Sequence, residues 1–412
     1  MQTELIPYPQ RQQQRSALTV LIVFLKLGLT SFGGPIAHLG YFRRQFVERL
    51  GWLDEESFTD LVALCQLLPG PASSQVGFSI GLLRAGWLGG LAAWCGFTLP
   101  SVALLLGFAA IAPDLNGTLG AGLIHGLKLV AVAVVAQAVW DMAKRLCPDL
   151  TRAAIALFAL AAASVLTNAY GQLTVIAFGA ALGLALCRPA SSDAARLRPL
   201  GAEEFPISHK VALLALAAFF ALLLALPAIA AIYPSHTLAV FDAFYRSGAL
   251  VFGGGHVVLP LLQEQTVATG WVAPSDFLSG YGAAQAVPGP LFTFAAFLGW
   301  RMLAAPHHWA GAWLATAGIF LPGLLLVLGT LPYWRRLRAS APLTAVLSGT
   351  NAAVVGLLGA ALYSPVWTSA VVTKIDFVVA AIGFCLLTRW KAPPLVVVVF
   401  CVAAALIESM WK

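Results

Sequence analysis

Apolar stretches of about 20 residues recur along almost the whole chain, and they restrict its fold more than any other feature. Two of them read GLIHGLKLVAVAVVAQAVW and KVALLALAAFFALLLALPAIAAIY, and each is long enough to span a bilayer as a helix. Of the 412 residues, 60% are hydrophobic and 10% are charged, whereas a soluble domain carries roughly 25% charged residues. The sequence therefore predicts an all-α polytopic membrane protein.

The basic residues of the connecting segments predict an orientation in the membrane. Lys and Arg cluster within 144–152, 188–210, 335–338 and 389–391, whereas the connections APDLNG, TNAYGQ, IYPSHT and YSPVWTS contain neither. Because cytoplasmic loops are enriched in Lys and Arg, the first set is assigned to the cytoplasm, together with the N-terminus. The predicted full spans are about 86–112, 118–143, 152–167, 171–187, 211–232, 309–331, 343–364, 370–388 and 393–411.

Shorter apolar pieces are interrupted by Gly and Pro. Residues 18–33 and 36–50 are separated by FGGP, and residues 57–68 and 72–84 by PGP. Each piece gives about 18–24 Å of helix, which is shorter than a typical span. The pieces form either re-entrant hairpins or broken spans. Hairpins are favoured because they keep the arginines of this region on the cytoplasmic side.

The second half of the chain repeats the first at offsets of 219 to 222 residues. The matching segments are FLKLGLTSFGGP from Phe24 and FYRSGALVFGGG from Phe244, QLLPGP from Gln66 and QAVPGP from Gln285, and WLGGLAAWCGFTLP from Trp87 and WAGAWLATAGIFLP from Trp309. The span 211–232 has no counterpart and carries the chain across the membrane, so the second copy begins outside. The sequence predicts two inverted-topology repeats, 18–187 and 238–411, joined by a cytoplasmic linker and connecting helix at 188–237.

The broken helices predict an anion site. Pro and Gly breaks at membrane depth must face protein or a water-filled cavity, and a half-helix that begins after PGP directs free N–H groups and a positive dipole end there. Pro71 and Pro290 are expected in the first turns of these half-helices. Discontinuous helices in inverted repeats are typical of secondary transporters. The candidate residues in the breaks are Gly33, Gly34, Pro69, Gly70, Pro71, Gly253, Gly254, Pro288, Gly289 and Pro290.

Side chains near the breaks extend the candidate set. Lys26 and Arg246 hold equivalent repeat positions, and a charge in the membrane interior costs about 2.5–3.5 kcal/mol; snorkelling to the interface is the alternative role. Lys128 is a third cationic candidate. The uncharged candidates, whose alternative role is helix capping, are Gln66, Ser73, Ser74, Gln285 and Thr293. The titratable candidates for proton coupling are Asp60, His125, His256 and Glu264.

Several functional classes are disfavoured. The six cysteines occur singly with no CxxC, which argues against a disulfide framework or a cysteine metal site. GGGH at 253–256 lacks the GK[ST] of a phosphate-binding loop. The formal charge of +7 belongs to cytoplasmic loops and does not indicate nucleic acid. No metal, cofactor or enzymatic activity is predicted, and a membrane reductase is the least favoured reading.

The chain resembles the bacterial chromate ion transporter family in its long, two-repeat form. The resemblance extends over residues 18–411 and rests on FGGP, GW, PGP and the duplicated halves. The resemblance implies a secondary transporter of the inner membrane that exports chromate and confers chromate resistance. One departure is Gly255 and His256, where the first copy has Pro35 and Ile36. The expected partners are the bilayer and a chromate- or sulfate-like oxyanion. A transporter of sulfate or another oxyanion, or an anion channel, is the alternative; the coupling ion and a homodimeric state are left open.

Overall fold

The computed structural model describes residues 16–115, 117–166, 171–187, 207–334, 337 and 340–411. The predicted linker at 188–206 and the basic residues 335, 336 and 338 lie outside the described residues. Throughout the described part, the regular elements are helices and helical turns, so the prediction of an all-α polytopic membrane protein is confirmed. Among the described residues, six helices are long and apolar enough to cross a membrane: Ala72–Asp114, Gly117–Leu146, His209–Ile232, His308–Tyr333, Ala341–Ala370 and Pro394–Trp411.

The first repeat begins with short helices and ends with longer ones. A π-helical segment, Arg43–Arg49, extends α2, and the connecting helix α8 follows the repeat. Polar caps fix several starts: the side chain of Asp54 accepts from the N–H of Ser57 before α3, as capping residues do. The helices are α1 (Ala17–Thr30), α2 (Gly34–Phe42), α3 (Glu55–Leu67), α4 (Ala72–Ile111), α5 (Gly117–Leu146), α6 (Leu150–Val165), α7 (Gly171–Leu186) and α8 (His209–Ile232).

The second repeat contains the same succession of elements, with the counterpart of α4 divided into α12 and α13. Three of the predicted full spans correspond to helices that are short for a bilayer, because α6, α7 and α15 have 16, 16 and 15 residues, or roughly 24 Å each. The helices are α9 (His236–Ala249), α10 (Val258–Thr266), α11 (Pro274–Ala286), α12 (Phe294–Trp300), α13 (His308–Thr330), α14 (Ala341–Ala361), α15 (Lys374–Thr388) and α16 (Pro394–Trp411).

Helix α4 consists of two arms that fold back on each other. Ala85 and Gly86 have non-helical backbone angles, with φ +63° at Gly86. A Cβ on Gly81 would collide with the carbonyl oxygen of Gly89, although eight residues of straight helix would separate these positions by about 12 Å. The arm 72–84 is therefore a separate half-helix that returns beside the arm 87–111. The corresponding turn of the second repeat is open loop between α12 and α13.

The half-helices flanking PGP pair as hairpins in both repeats. In the first, the guanidinium of Arg84 lies 5.1 Å from the ring centroid of Trp52, which brings the end of the 72–84 arm beside the start of α3. In the second, Arg301 after α12 forms an ion pair of 2.7 Å with Asp276 in the first turn of α11. The start of the first half-helix thus meets the end of the second in each copy.

The half-helices flanking the glycine-rich breaks also pair as hairpins. The Phe24 ring on α1 stacks on Phe46 beyond α2, with centroids 4.9 Å apart. The His236 ring at the start of α9 lies 4.8 Å from that of Trp271, which follows α10. The insertion of these hairpins into a membrane, and the inverted orientation of the repeats, stay predictions.

The long helices interlock the two repeats. Helix α5 of the first repeat packs against α15 and α16 of the second, and its counterpart α14 packs against α6 and α7 of the first. Each repeat therefore completes the other's helix bundle. The hairpins also contact these exchanged helices, because α11 packs against α5 and α10 packs against α14.

Candidate anion site at the helix breaks

The helix breaks of the two repeats bind each other reciprocally. The N–H of Gly70, in the first PGP, donates to the carbonyl oxygen of Val251 in the second repeat at 2.8 Å, and the N–H of Gly289 donates to that of Ser31 in the first at 2.9 Å. Ser31 and Val251 are equivalent positions, each two residues before the paired glycines. Equivalent contacts exchanged in this way define an approximate two-fold relation between the repeats.

The long helices support each PGP from the opposite repeat. The side-chain Nε2 of Gln75 donates to the carbonyl oxygens of Pro69 and Gly323, at 3.0 Å in each case. The Ser101 hydroxyl donates to the carbonyl oxygen of Pro288 at 2.5 Å. Ser101 and Gly323 directly follow the prolines inside α4 and α13. The carbonyl oxygens of Pro69 and Pro288 are therefore hydrogen-bonded within the protein, as membrane depth requires.

The central glycines of both PGP segments need their lack of a side chain. Gly70 has φ +115° and Gly289 has φ +101°, backbone angles that other residues rarely adopt. A Cβ on Gly289 would collide with the Ser101 hydroxyl. Gly33, Gly34, Gly253 and Gly254 also have positive φ. Pro71 and Pro290 are N-cap residues, one position before the first turns in which the sequence analysis placed them.

Buried polar side chains lie at the start of the 72–84 arm, at the end of α1, on α2 and on the returning arm of α4. His38 on α2 is 1% exposed, and its Nδ1 lies 3.4 Å from the hydroxyl of Ser73. Its ring packs edge-on against Phe97, the residue before Thr98, with centroids 5.3 Å apart. The buried atoms without a hydrogen-bond partner in the described part of the chain include Ser31 Oγ, His38 Nε2, Ser74 Oγ and Thr98 Oγ1. Ser31, His38, Ser73, Ser74 and Thr98 are hereafter called the polar cluster.

The equivalent positions of the second repeat are mostly apolar. Val251, Val258, Phe292 and Phe320 stand where the first repeat has Ser31, His38, Ser73 and Thr98. The Phe292 and Phe320 rings lie 5.9 Å apart. The counterpart of Ser74 is Thr293, whose hydroxyl donates to the carbonyl oxygen of Pro290 at 2.7 Å. Free hydrogen-bonding capacity at the PGP half-helix is therefore concentrated in the first repeat.

The two cations predicted at equivalent repeat positions, Lys26 and Arg246, lie in different environments. Arg246 forms an ion pair of 2.6 Å with Asp242, and these side chains are 19% and 5% exposed. Arg246 Nε and Asp242 Oδ1 are buried without a hydrogen-bond partner among the described residues. Lys26 is exposed on α1. Asp242 was missed from the sequence, although an acidic residue one turn before an arginine in an apolar helix is a recognisable signal.

Other predicted residues lie at various distances from the polar cluster. Lys128 on α5 interacts electrostatically with Asp276, so it lies toward the base of the second PGP hairpin. Gln66 is exposed, contrary to the buried amide expected there, because its side chain points away from the hairpin interior. Its counterpart Gln285 has a buried Nε2 with no partner in the described chain.

The titratable candidates are distributed over several elements. Asp60 is fully buried on α3, and Glu264 is half-buried on α10. His256 Nδ1 lies 2.8 Å from the hydroxyl of Tyr281 on α11. His125 Nε2 lies 2.5 Å from a carboxylate oxygen of Asp376, a partner that the sequence analysis did not identify because it is 251 residues away.

These features define the class of the molecule. Interlocked repeats of apolar helices, with broken helices that meet beside buried polar groups, are typical of membrane transport proteins. The family model described as chromate transporter matches residues 18–184 and 238–407. The chain belongs to the chromate transporter family, and the resemblance found in the sequence is confirmed.

Individual relatives extend over most of the chain. A chromate transport protein of Pseudomonas aeruginosa is 30% identical over 97% of this chain and 93% of its own length. A probable chromate transport protein of Synechococcus elongatus is 27% identical over 82% of each chain. A chromate transport protein of Cupriavidus metallidurans is 25% identical over 83% of this chain and 81% of its own. No solved structure matches the chain.

Proposed function

We propose that this protein is a secondary transporter that exports chromate across the cell inner membrane, with its N-terminus in the cytoplasm, and thereby confers chromate resistance. The family and the names of its relatives support the substrate class. The observation that carries the proposal for a site is the set of unpartnered buried polar atoms at the start of the 72–84 arm. Such atoms are rare in proteins without a ligand or water to satisfy them.

The chemistry of the polar cluster matches a tetrahedral dianion. Chromate oxygens only accept hydrogen bonds, and the first N–H groups of the 72–84 arm have no partners within their helix. The Ser74 and Thr98 hydroxyls add donors, and His38 adds another when its proton is on Nε2. The positive end of the helix dipole favours negative charge at the same place. Sulfate offers the same oxygens, so a sulfate transporter is the alternative substrate assignment.

The membrane potential supplies enough energy for export. Moving two negative charges out of an inside-negative cell gains about 4.6 kcal/mol per 100 mV, which corresponds to a roughly 2,000-fold gradient. Proton coupling is therefore an addition rather than a necessity. If export persists unchanged with the pH gradient collapsed and the potential clamped, protons are not coupled.

The test uses everted membrane vesicles, in which export appears as chromate accumulation. Energised vesicles containing the protein should accumulate chromate above empty vesicles, and excess sulfate should inhibit this uptake. Ser74→Ala should raise the half-saturation concentration about 10- to 100-fold, because a hydrogen bond to a charged group contributes about 1.5–3 kcal/mol. No uptake by the unmodified protein would direct the search to other anions.

Thr293→Ala is the matched control for Ser74→Ala. It removes the hydroxyl at the equivalent repeat position, which already donates to the Pro290 carbonyl oxygen, so the half-saturation concentration should remain within about twofold of the unmodified value. Equal effects of the two substitutions would contradict a site in the first repeat. An anion channel on the same scaffold is recognised by flux that does not saturate and is not accelerated by substrate on the opposite side.

A further inference from the structure

A second cluster of polar groups joins three helices far from the polar cluster. His125 lies on α5, Asp376 in the first turn of α15 and Glu408 in the last turn of α16. One imidazole nitrogen and two carboxylate oxygens lie within 4.8 Å of one another. Because the three residues are far apart in sequence, no metal-ligand spacing was visible there, and the sequence analysis predicted no metal.

The Asp376 carboxylate is fixed before any ligand binds. It is 0% exposed, and its Oδ2 accepts the backbone N–H groups of Val372 at 2.9 Å and Thr373 at 2.7 Å. Its other oxygen, Oδ1, lies 2.5 Å from Nε2 of His125. The contact with Thr373 belongs to the capping box that begins α15, and together these backbone donors hold the carboxylate in one orientation, as the outer shell of a metal site does. Oδ1 is thus directed toward the imidazole and Glu408.

Charge favours a cation between these groups. Two carboxylates at this separation repel each other unless a positive charge lies beside them. An imidazolium supplies one charge, whereas a divalent ion neutralises both carboxylates and leaves the imidazole neutral, which is its ligating form. The His125 side chain is 31% exposed, which leaves room for the remaining ligands of a bound ion.

We propose that His125, Asp376 and Glu408 bind a divalent transition-metal ion. One imidazole nitrogen and two carboxylate oxygens are ligands that Zn²⁺ accepts at about 2.0–2.2 Å, with water completing the tetrahedron. The His125–Asp376 hydrogen bond of 2.5 Å would open to about 3.3 Å as the ion enters between the two side chains. The ion would connect α5 of the first repeat to α15 and α16 of the second, which are the helices that interlock the repeats. Its role is to stabilise this interlock. The proposal does not depend on the transported substrate.

Binding of Zn²⁺ alone tests the proposal. The detergent-solubilised full-length protein, carrying a tag without histidine and treated with EDTA, is titrated with Zn²⁺ by calorimetry and followed by thermal unfolding. We expect saturable binding of one ion per chain and a rise in Tm. His125→Gln and Glu408→Gln should each weaken binding at least tenfold, whereas binding by a His307→Gln/His308→Gln variant should be unchanged.

The His307→Gln/His308→Gln control variant removes an alternative zinc site. The His307 and His308 Nδ1 atoms lie 3.0 Å apart on exposed side chains, and an adjacent histidine pair can bind Zn²⁺ on its own. An X-ray absorption spectrum of the zinc-loaded unmodified protein separates the two sites without any substitution. One imidazole with oxygen ligands supports the proposal. Absence of binding, a spectrum with two imidazoles, or affinity unchanged in both His125→Gln and Glu408→Gln would overturn it.

Discussion

The ion pair between Arg246 and Asp242 allows a quantitative prediction of how a substitution changes anion affinity. Both side chains are largely buried, their closest atoms are 2.6 Å apart, and Arg246 Nε has no other partner in the described chain. An oxyanion bound by Arg246 must compete with the Asp242 carboxylate. Asp242→Asn removes the competing charge while nearly preserving the shape of the side chain, so we expect tighter anion binding.

The magnitude follows from the geometry. Hydrogen-bonded guanidinium and carboxylate groups have charge centres about 4 Å apart, and at an effective dielectric constant of 20 their attraction is about 4 kcal/mol. Complete loss of this competition would raise affinity by roughly a thousandfold. Asn still accepts a hydrogen bond from Arg246 and retains part of the competition, so the expected increase is about 10- to 100-fold.

The assay is equilibrium binding of chromate, and separately of sulfate, to the solubilised protein. Arg246→Gln should weaken binding, and the double variant should bind no more tightly than Arg246→Gln, because Asp242 acts through the arginine. Asp149→Asn is the matched control, since it breaks the Arg152 ion pair at the start of α6, away from every candidate site residue, and should leave affinity unchanged. Unchanged or weaker binding by Asp242→Asn would refute the assignment of Arg246 to the anion site.

Two further predictions concern stability. Gly289→Ala should lower Tm, because φ +101° and the collision with Ser101 introduce strain of about 1–3 kcal/mol; Gly107→Ala, which meets nothing within 4 Å, should not lower it. Asp149→Ala should destabilise α6 by about 1 kcal/mol, as measured by thermal unfolding, because Asp149 caps this helix. Hydrogen bonds from the backbone N–H of Arg152, and then from its side chain, lower the pKa of Asp149 in the folded protein. The stability that this cap contributes is therefore fully present above the unfolded-state pKa. It is lost as the pH falls through the folded-state pKa. Asp149→Asn should abolish that pH dependence.

The order of the helices could be predicted from the sequence, but the hydrogen-bond partners of the residues in the helix breaks could not. Apolar run length and the positions of Gly and Pro determine where helices begin and end, and the repeat made FGG and PGP stand out. The acceptor of the Gly70 N–H is the carbonyl oxygen of Val251, which no local pattern encodes. Backbone hydrogen bonds between repeats depend on three-dimensional packing, and every residue type has the same carbonyl group.

Only part of the polar cluster could be predicted from the sequence, for a related reason. Ser73 and Ser74 were found because they follow PGP, whereas Ser31 and Thr98 look like ordinary hydroxyls in apolar helix. Many such hydroxyls are satisfied within their own helix, as Ser79 is by the carbonyl oxygen of Gln75 at 2.8 Å. A usable signal was available in the repeat alignment, which shows where one copy is polar and the other apolar.

The second repeat serves as an internal control for the meaning of the polar cluster. The two copies share the same breaks and exchange the same hydrogen bonds, yet valine and phenylalanine occupy most of the equivalent positions in the second copy. The fold therefore does not need polar side chains there. A buried polar atom that stays unpaired typically costs about 1–3 kcal/mol, and Ser31, His38, Ser74 and Thr98 each carry one with no partner among the described residues. A ligand that hydrogen-bonds to these atoms would offset this cost, as the proposed anion site requires.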